Sequence, residues 1–129
     1  MNNYHTPYFS VVVAHAVLTQ GPSQSRGVAT LVATQRDIHV TLHVSHVSSD
    51  IISAHLHFGN ALGPIVLDLA PLTNKTTFTV ADLVGPCKGI PMDLFLSMVS
   101  NQQLVANVHT VQYPQGEISG RLKISEILI

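Results

Sequence analysis

The sequence predicts an all-β chain: one antiparallel β-sandwich, or a flattened Greek-key barrel, of about seven to nine strands with a single short helix. Three observations lead there. The clearest periodicity is two: Ile38-His39-Val40-Thr41-Leu42-His43-Val44-Ser45 alternates apolar and polar residues without a break, the pattern of a half-buried strand. Val, Ile and Thr are abundant, and their stiff branched side chains suit a pleated surface. Turn chemistry recurs at short intervals: Gly21-Pro22-Ser23, Ser48-Ser49-Asp50, Gly59 to Pro64, Thr73-Asn74-Lys75 and Tyr113-Pro114-Gln115-Gly116.

Those turns cut the chain into strand candidates at 8–19, 26–35, 38–45, 51–58, 64–70, 75–80, 103–111 and 117–125. The exception is Pro91-Met92-Asp93-Leu94-Phe95-Leu96-Ser97-Met98-Val99, where Pro sits at a tolerated early position and the spacing predicts a helix over 91–99. Asp82 is expected to open a second short turn at 81–85. The expected core draws on Ile38, Val40, Leu42, Val44, Leu56, Ile65, Leu67, Ala106, Val108, Ile118 and Leu122. Gly116 suits a tight connection with positive φ. Gly120, inside a strand, predicts a close neighbour, for which the ring of His109 is the candidate.

The 129 residues make one domain, 1–129, with no repeat or linker that divides it. Only 10% of the residues are charged, against about 25% in ordinary soluble domains. The formal net charge is -1 and no Lys/Arg cluster appears, so neither nucleic acid nor an anionic membrane surface is an expected partner. Apolar runs such as Val11-Val12-Val13-Ala14 are too short to cross a bilayer, and no signal peptide is visible. Low charge on an all-β chain with open edges favours self-association. Ile127-Leu128-Ile129 is an apolar ending expected to pack on the core or on a neighbouring subunit, while the segment 1–10 could cover an edge.

Eight histidines are the obvious candidates for chemistry. His39 and His43 read as the polar face of a strand, and His5, His15 and His46 are isolated. Ala54-His55-Leu56-His57 differs, because positions i and i+2 of a strand project from one face and two imidazoles can converge. That is half of a metal site. His109 is the natural third ligand, and Glu117, just past the 113–116 turn, a fourth. The same four groups could equally form a hydrogen-bonded polar cluster with no ion.

Catalytic constellations fail: no nucleophile elbow, zinc-protease helix or phosphate-binding glycine loop is present. Asp37, Asp50, Asp68, Asp82 and Asp93 are scattered. Cys87, the single cysteine, lies beside Lys88, whose charge would lower its pKa, but it has no evident base partner. Asn74-Lys75-Thr76 matches the glycosylation sequon.

Ala54-His55-Leu56-His57-Phe58-Gly59 followed by Gly63-Pro64-Ile65-Val66 resembles the A-H-I-H-x-G…G-P-V-V motif of chordin-type (CHRD) domains. Asn107-Val108-His109-Thr110, then Pro114 and Gly116-Glu117-Ile118-Ser119-Gly120, resembles that family's closing motif, and Phe78-Thr79-Val80-Ala81-Asp82-Leu83 its linking segment. The likeness spans about 9–124. It implies an all-β module of extracellular or cell-surface proteins and no catalytic mechanism. The paired histidines also carry a weaker likeness to the copper site of superoxide dismutases, so the sandwich is expected to be immunoglobulin-like or superoxide-dismutase-like.

The sequence reading is therefore of a non-enzymatic binding or assembly module that requires no cofactor and partners itself or another protein. The alternative is a metal-binding protein that holds copper or zinc at His55, His57 and His109.

Overall fold

The computed structural model describes residues 11–69, 71 and 74–129. Among the described residues nine strands form two antiparallel sheets. The first holds β1 (Val11–Leu18), β2 (Arg26–Ala33), β3 (Ile38–Ser45), β6 (Thr77–Phe78) and β9 (Lys123–Leu128), in the order β6-β3-β2-β1-β9. The second holds β4 (Ile51–Phe58), β5 (Ile65–Asp68), β7 (Leu104–Thr110) and β8 (Ile118–Arg121), in the order β5-β4-β7-β8. The sheets face each other as a sandwich, not a closed barrel. At one corner their backbones are also bridged, by Gln20 and Ser119. Residues 8–10 and 70 of the expected strands, and His5, lie outside the described residues.

Alternation decides which side of each strand is buried. In β1, Val12, Ala14, Ala16 and Leu18 are buried while His15 and Val17 are exposed, because successive side chains leave a strand on opposite faces. Ala29, Leu31 and Ala33 of β2 meet them. From the other sheet come Ala54, Leu56, Leu67, Leu104, Ala106, Val108 and Ile118. Small residues on β1 and β2 let the layers approach closely. At Gly120 an added Cβ would lie 2.1 Å from the Val17 carbonyl oxygen. Gly120 is thus required by β1 and not, as the sequence reading had it, by the His109 ring.

The expected core is correct at Ile38, Val40, Leu56, Leu67, Ala106, Val108, Ile118 and Leu122, with Leu42 and Val44 half-buried against it. Ile65 departs, being 38% exposed. Register is the reason: Leu56 pairs with Leu67, but His57 pairs with Ile65. The extra residue, Val66, turns inward and is buried in place of Ile65.

The helix forms as α1 (Met92–Ser100), with Pro91 just before its first turn, and buries Phe95, Leu96 and Val99. The turn expected at Asp82 is a 3-10 turn over Val80–Asp82 that opens at Thr79. Asp82 closes a reciprocal cap, its carboxylate accepting from the Thr79 amide at 2.9 Å. The apolar ending does not fold onto the core: β9 is an edge strand with Ile127 and Leu128 exposed, and Ile129 follows it at 93% exposure.

Candidate three-histidine site

The outer face of the four-stranded sheet carries the site. His55 and His57 leave β4 on the side opposite core residues Ala54 and Leu56, and Asn107 and His109 leave β7 on the side opposite Ala106 and Val108. Register places Asn107 directly across from His55, and Ser53 across from His109. An outer sheet face ordinarily meets water, yet every residue of β7 is buried. Two connections supply the cover: the β4–β5 loop, 59–64, and the β7–β8 loop, 111–117.

Each loop presents a backbone carbonyl to one imidazole. The Gly63 oxygen lies 2.7 Å from His57 Nδ1, and the Pro114 oxygen lies 2.8 Å from His109 Nδ1. A carbonyl only accepts, so both Nδ1 atoms carry the proton, and each neutral ring is left with a bare electron pair on Nε2. The three rings converge, with centroids 4.9 Å apart for His55 and His109, 5.5 Å for His55 and His57, and 5.8 Å for His57 and His109.

His55 Nδ1 is 3.1 Å from His109 Nε2. Since that Nε2 is the acceptor, His55 donates. His57 Nε2 is buried and receives no hydrogen bond from any described residue. A buried acceptor left unpaired costs about 1–3 kcal/mol, and this atom is the one unsatisfied position among the described buried side-chain nitrogens and oxygens. His57 and His109 are buried while His55 is half-exposed. Burial, which penalises the charged form, lowers the pKa of His55 and also that of His109. The neighbouring imidazole of His109 lowers His55 further.

One nitrogen from each of the three rings lies within 4.8 Å of the others. Tetrahedral zinc, with bonds of about 2.0–2.1 Å, needs nitrogens about 3.3 Å apart. The His55–His109 pair, at 3.1 Å, is already near that spacing. The donor set is all imidazole, which suits copper and zinc.

Glu117 is not in this cluster. Its carboxylate turns to the end of the sandwich where the β1–β2 and β3–β4 connections meet. Oε2 accepts from the Ser23 hydroxyl at 2.8 Å, from the Ser25 hydroxyl and from the Ser48 amide at 2.9 Å. Oε1 accepts from the hydroxyls of Ser48 and Thr110 at 2.7 and 2.8 Å. The expectation that Glu117 joins the histidines fails for a physical reason: an ionised carboxylate needs donors, and the Nδ1 protons of His57 and His109 are already given to carbonyls. Hydroxyls and an amide solvate it instead. Burial alone would raise its pKa, but the hydrogen bonds from Ser25, Ser48, Thr110 and Ser23 lower it to about 2.

The remaining candidates stay apart from the site. His39 meets the Thr77 hydroxyl at 3.0 Å, and His15 the Ser125 hydroxyl at 3.0 Å. Cys87 is buried, its Sγ 3.4 Å from Met98 Sδ. Burial pushes its thiol pKa up, opposite to the lowering expected from Lys88. Asn107 is the residue that the sequence reading passed over, quoted only within a motif. Its carboxamide Nδ2 donates to the Ala61 carbonyl at 2.9 Å and the Gln115 carbonyl at 3.2 Å. The available signal was its place two residues before His109, on the same strand face.

Compared with known proteins, residues 9–122 match the CHRD domain. No curated protein and no solved structure matches the chain.

Proposed function

The chain belongs to the CHRD domain family, and from that premise we propose that it is a non-catalytic binding module whose ligand is a transition-metal ion, copper or zinc, held by His55, His57 and His109. One observation carries the reading. The Nδ1 protons of His57 and His109 are committed to the carbonyls of Gly63 and Pro114, and His57 Nε2 is buried without a partner among the described residues. Metal-ligating imidazoles characteristically give their other nitrogen to a carbonyl or carboxylate, which sets the tautomer and raises the basicity of the ligating atom. A polar cluster built only for stability has no use for a buried bare lone pair. Copper(II) is expected to bind more tightly than zinc at an all-nitrogen site.

Elemental analysis of protein purified without a His tag, then equilibrated with copper or zinc, tests the reading. Stoichiometric uptake in the native chain and its loss in His57→Ala is the expected result. Native protein that takes up neither ion refutes it.

A second reading, assembly with another copy, is favoured by the β9 edge. Ile127 and Leu128 are 55% and 46% exposed there, on a strand with one side that no described strand pairs. Light scattering over a concentration series is expected to show a mass above that of one chain, reduced by Ile127→Lys. A strictly monomeric mass overturns this second reading.

A further inference from the structure

We propose that Asn107 is the positioning residue of the three-histidine site, a single side chain that holds both loops whose carbonyls set the histidine tautomers. The proposal rests on the metal-binding reading above and deepens it. Asn107 touches none of the three nitrogen atoms that would hold the ion. It acts one step away, through backbone.

The geometry is specific. Asn107 is 2% exposed. Its Nδ2 carries two protons, and both are used: one goes to the Ala61 carbonyl at 2.9 Å, the other to the Gln115 carbonyl at 3.2 Å. Ala61 lies two residues before Gly63, whose carbonyl orients His57. Gln115 directly follows Pro114, whose carbonyl orients His109. Each loop is therefore bonded twice to this face, once to Asn107 and once to a histidine. No other described side chain bonds both loops.

The β7–β8 loop is shaped to allow this. A Cβ on Gly116 would lie 2.4 Å from Asn107 Oδ1 and 2.6 Å from Nδ2, and Gly116 has φ 132°. Any side chain there would collide with the carboxamide and strain the backbone. The loop thus closes down on Asn107 itself. Backbone bonds anchor the loop ends, Phe58 N–H to the Pro64 carbonyl and Glu117 N–H to the Val108 carbonyl among them. Without Asn107, however, the Ala61 and Gln115 peptides beside the two orienting carbonyls would lose their bond to this face, and each imidazole would be freer to exchange its two neutral tautomers. The Nε2–H form has no lone pair on Nε2 to offer an ion. Outer partners of this kind characteristically change metal affinity 10- to 100-fold when removed.

Three measurements on the full chain test the proposal. In the native protein, the Asn107 carboxamide protons should exchange with solvent as slowly as strand amides, and rapid exchange overturns it. This measurement needs no variant and stands even if a substitution prevents folding. In metal-free protein, long-range proton–nitrogen NMR should show His57 and His109 as Nδ1–H tautomers. Asn107→Ala, and Asn107→Asp, which keeps the shape but removes both donors, should yield mixed tautomers, with exposed His43 unchanged as the control. Titration with copper(II) and with zinc alone should give affinities lowered about 10- to 100-fold in both variants. Tautomers and affinities equal to the native values in a folded variant overturn the proposal. Native protein that takes up neither ion refutes the metal reading, and the tautomers of the metal-free variants then decide the role of Asn107 separately.

Discussion

His55 Nδ1 and His109 Nε2 lie 3.1 Å apart across two neighbouring strands, and the proton between them belongs to His55. The direction is forced from a distance, because the Pro114 carbonyl holds the only proton of the neutral His109 ring on Nδ1. An ion held by these two nitrogens would require the His55 proton to leave Nδ1, for Nε2 or for solvent, so the proposed metal binding and this hydrogen bond would exclude each other.

The three histidines are therefore expected to be unequal. His57 and His109 are buried and oriented by backbone, whereas His55 is half-exposed and its Nδ1 is bonded to His109 and not to a carbonyl. His57→Ala and His109→Ala should each weaken copper binding by more than about 100-fold, above the range for outer partners. His55→Ala should cost less and should speed both binding and release. Stopped-flow mixing with copper(II) checks this, and equal effects at all three positions would contradict it.

Glu117 is expected to be a stability residue. Glu117→Gln keeps the shape but turns one acceptor into a donor that faces hydroxyl and amide donors. The loss should be about 3 kcal/mol, that of a buried charge-assisted network broken on one side. Chemical denaturation of metal-free protein measures it. Histidine tautomers should not change, since the carboxylate does not touch the rings.

The same residue sets an acid limit. Its folded pKa of about 2 lies below the ordinary value of 4.5, so the folded state favours the ionised form. Its contribution is fully present above pH 4.5 and is lost as pH falls through about 2. The stability difference between native protein and Glu117→Gln should be flat near neutral pH and shrink only below pH 4.5. Taking the difference cancels the histidine contributions. Urea melts at a series of pH values provide the comparison.

Gly120→Ala tests the contact between the sheets. The added methyl would meet the Val17 carbonyl at 2.1 Å, and a backbone carbonyl cannot rotate aside as a flexible side chain can. Destabilisation of about 3 kcal/mol is expected, read as a lowered denaturation midpoint. Were the close neighbour the His109 ring, the variant would perturb the histidine signals first. Here His109 should respond no more than other residues of β7.

Much of the fold was legible because alternation is a local property. The period of β3 and the pairing of His55 with His57 on one face depend only on where side chains leave a strand. Register is less local. Val66 replaces Ile65 in the core through a bulge against β4, and a single extra residue leaves no mark in a continuous apolar run such as Ile65-Val66-Leu67. Glu117 was misplaced for a similar reason. The five hydrogen bonds to its carboxylate come from Ser23, Ser25, Ser48 and Thr110, and three of those residues are roughly 70 to 94 positions away.

By itself the sequence determined the all-β sandwich, the family motifs and the three histidines, because each is written in residue type and short spacing. Only the tertiary structure decided what those histidines can do. Gly63 and Pro114 contribute carbonyls, Ala61 and Gln115 contribute the same groups to Asn107, and Glu117 is drawn off to hydroxyl donors. Every residue has a carbonyl, so no side-chain pattern could mark which ones would face an imidazole. That follows from how two loops fold over an outer sheet face, and from the preference of a buried carboxylate for donors over rings whose Nδ1 protons are already committed.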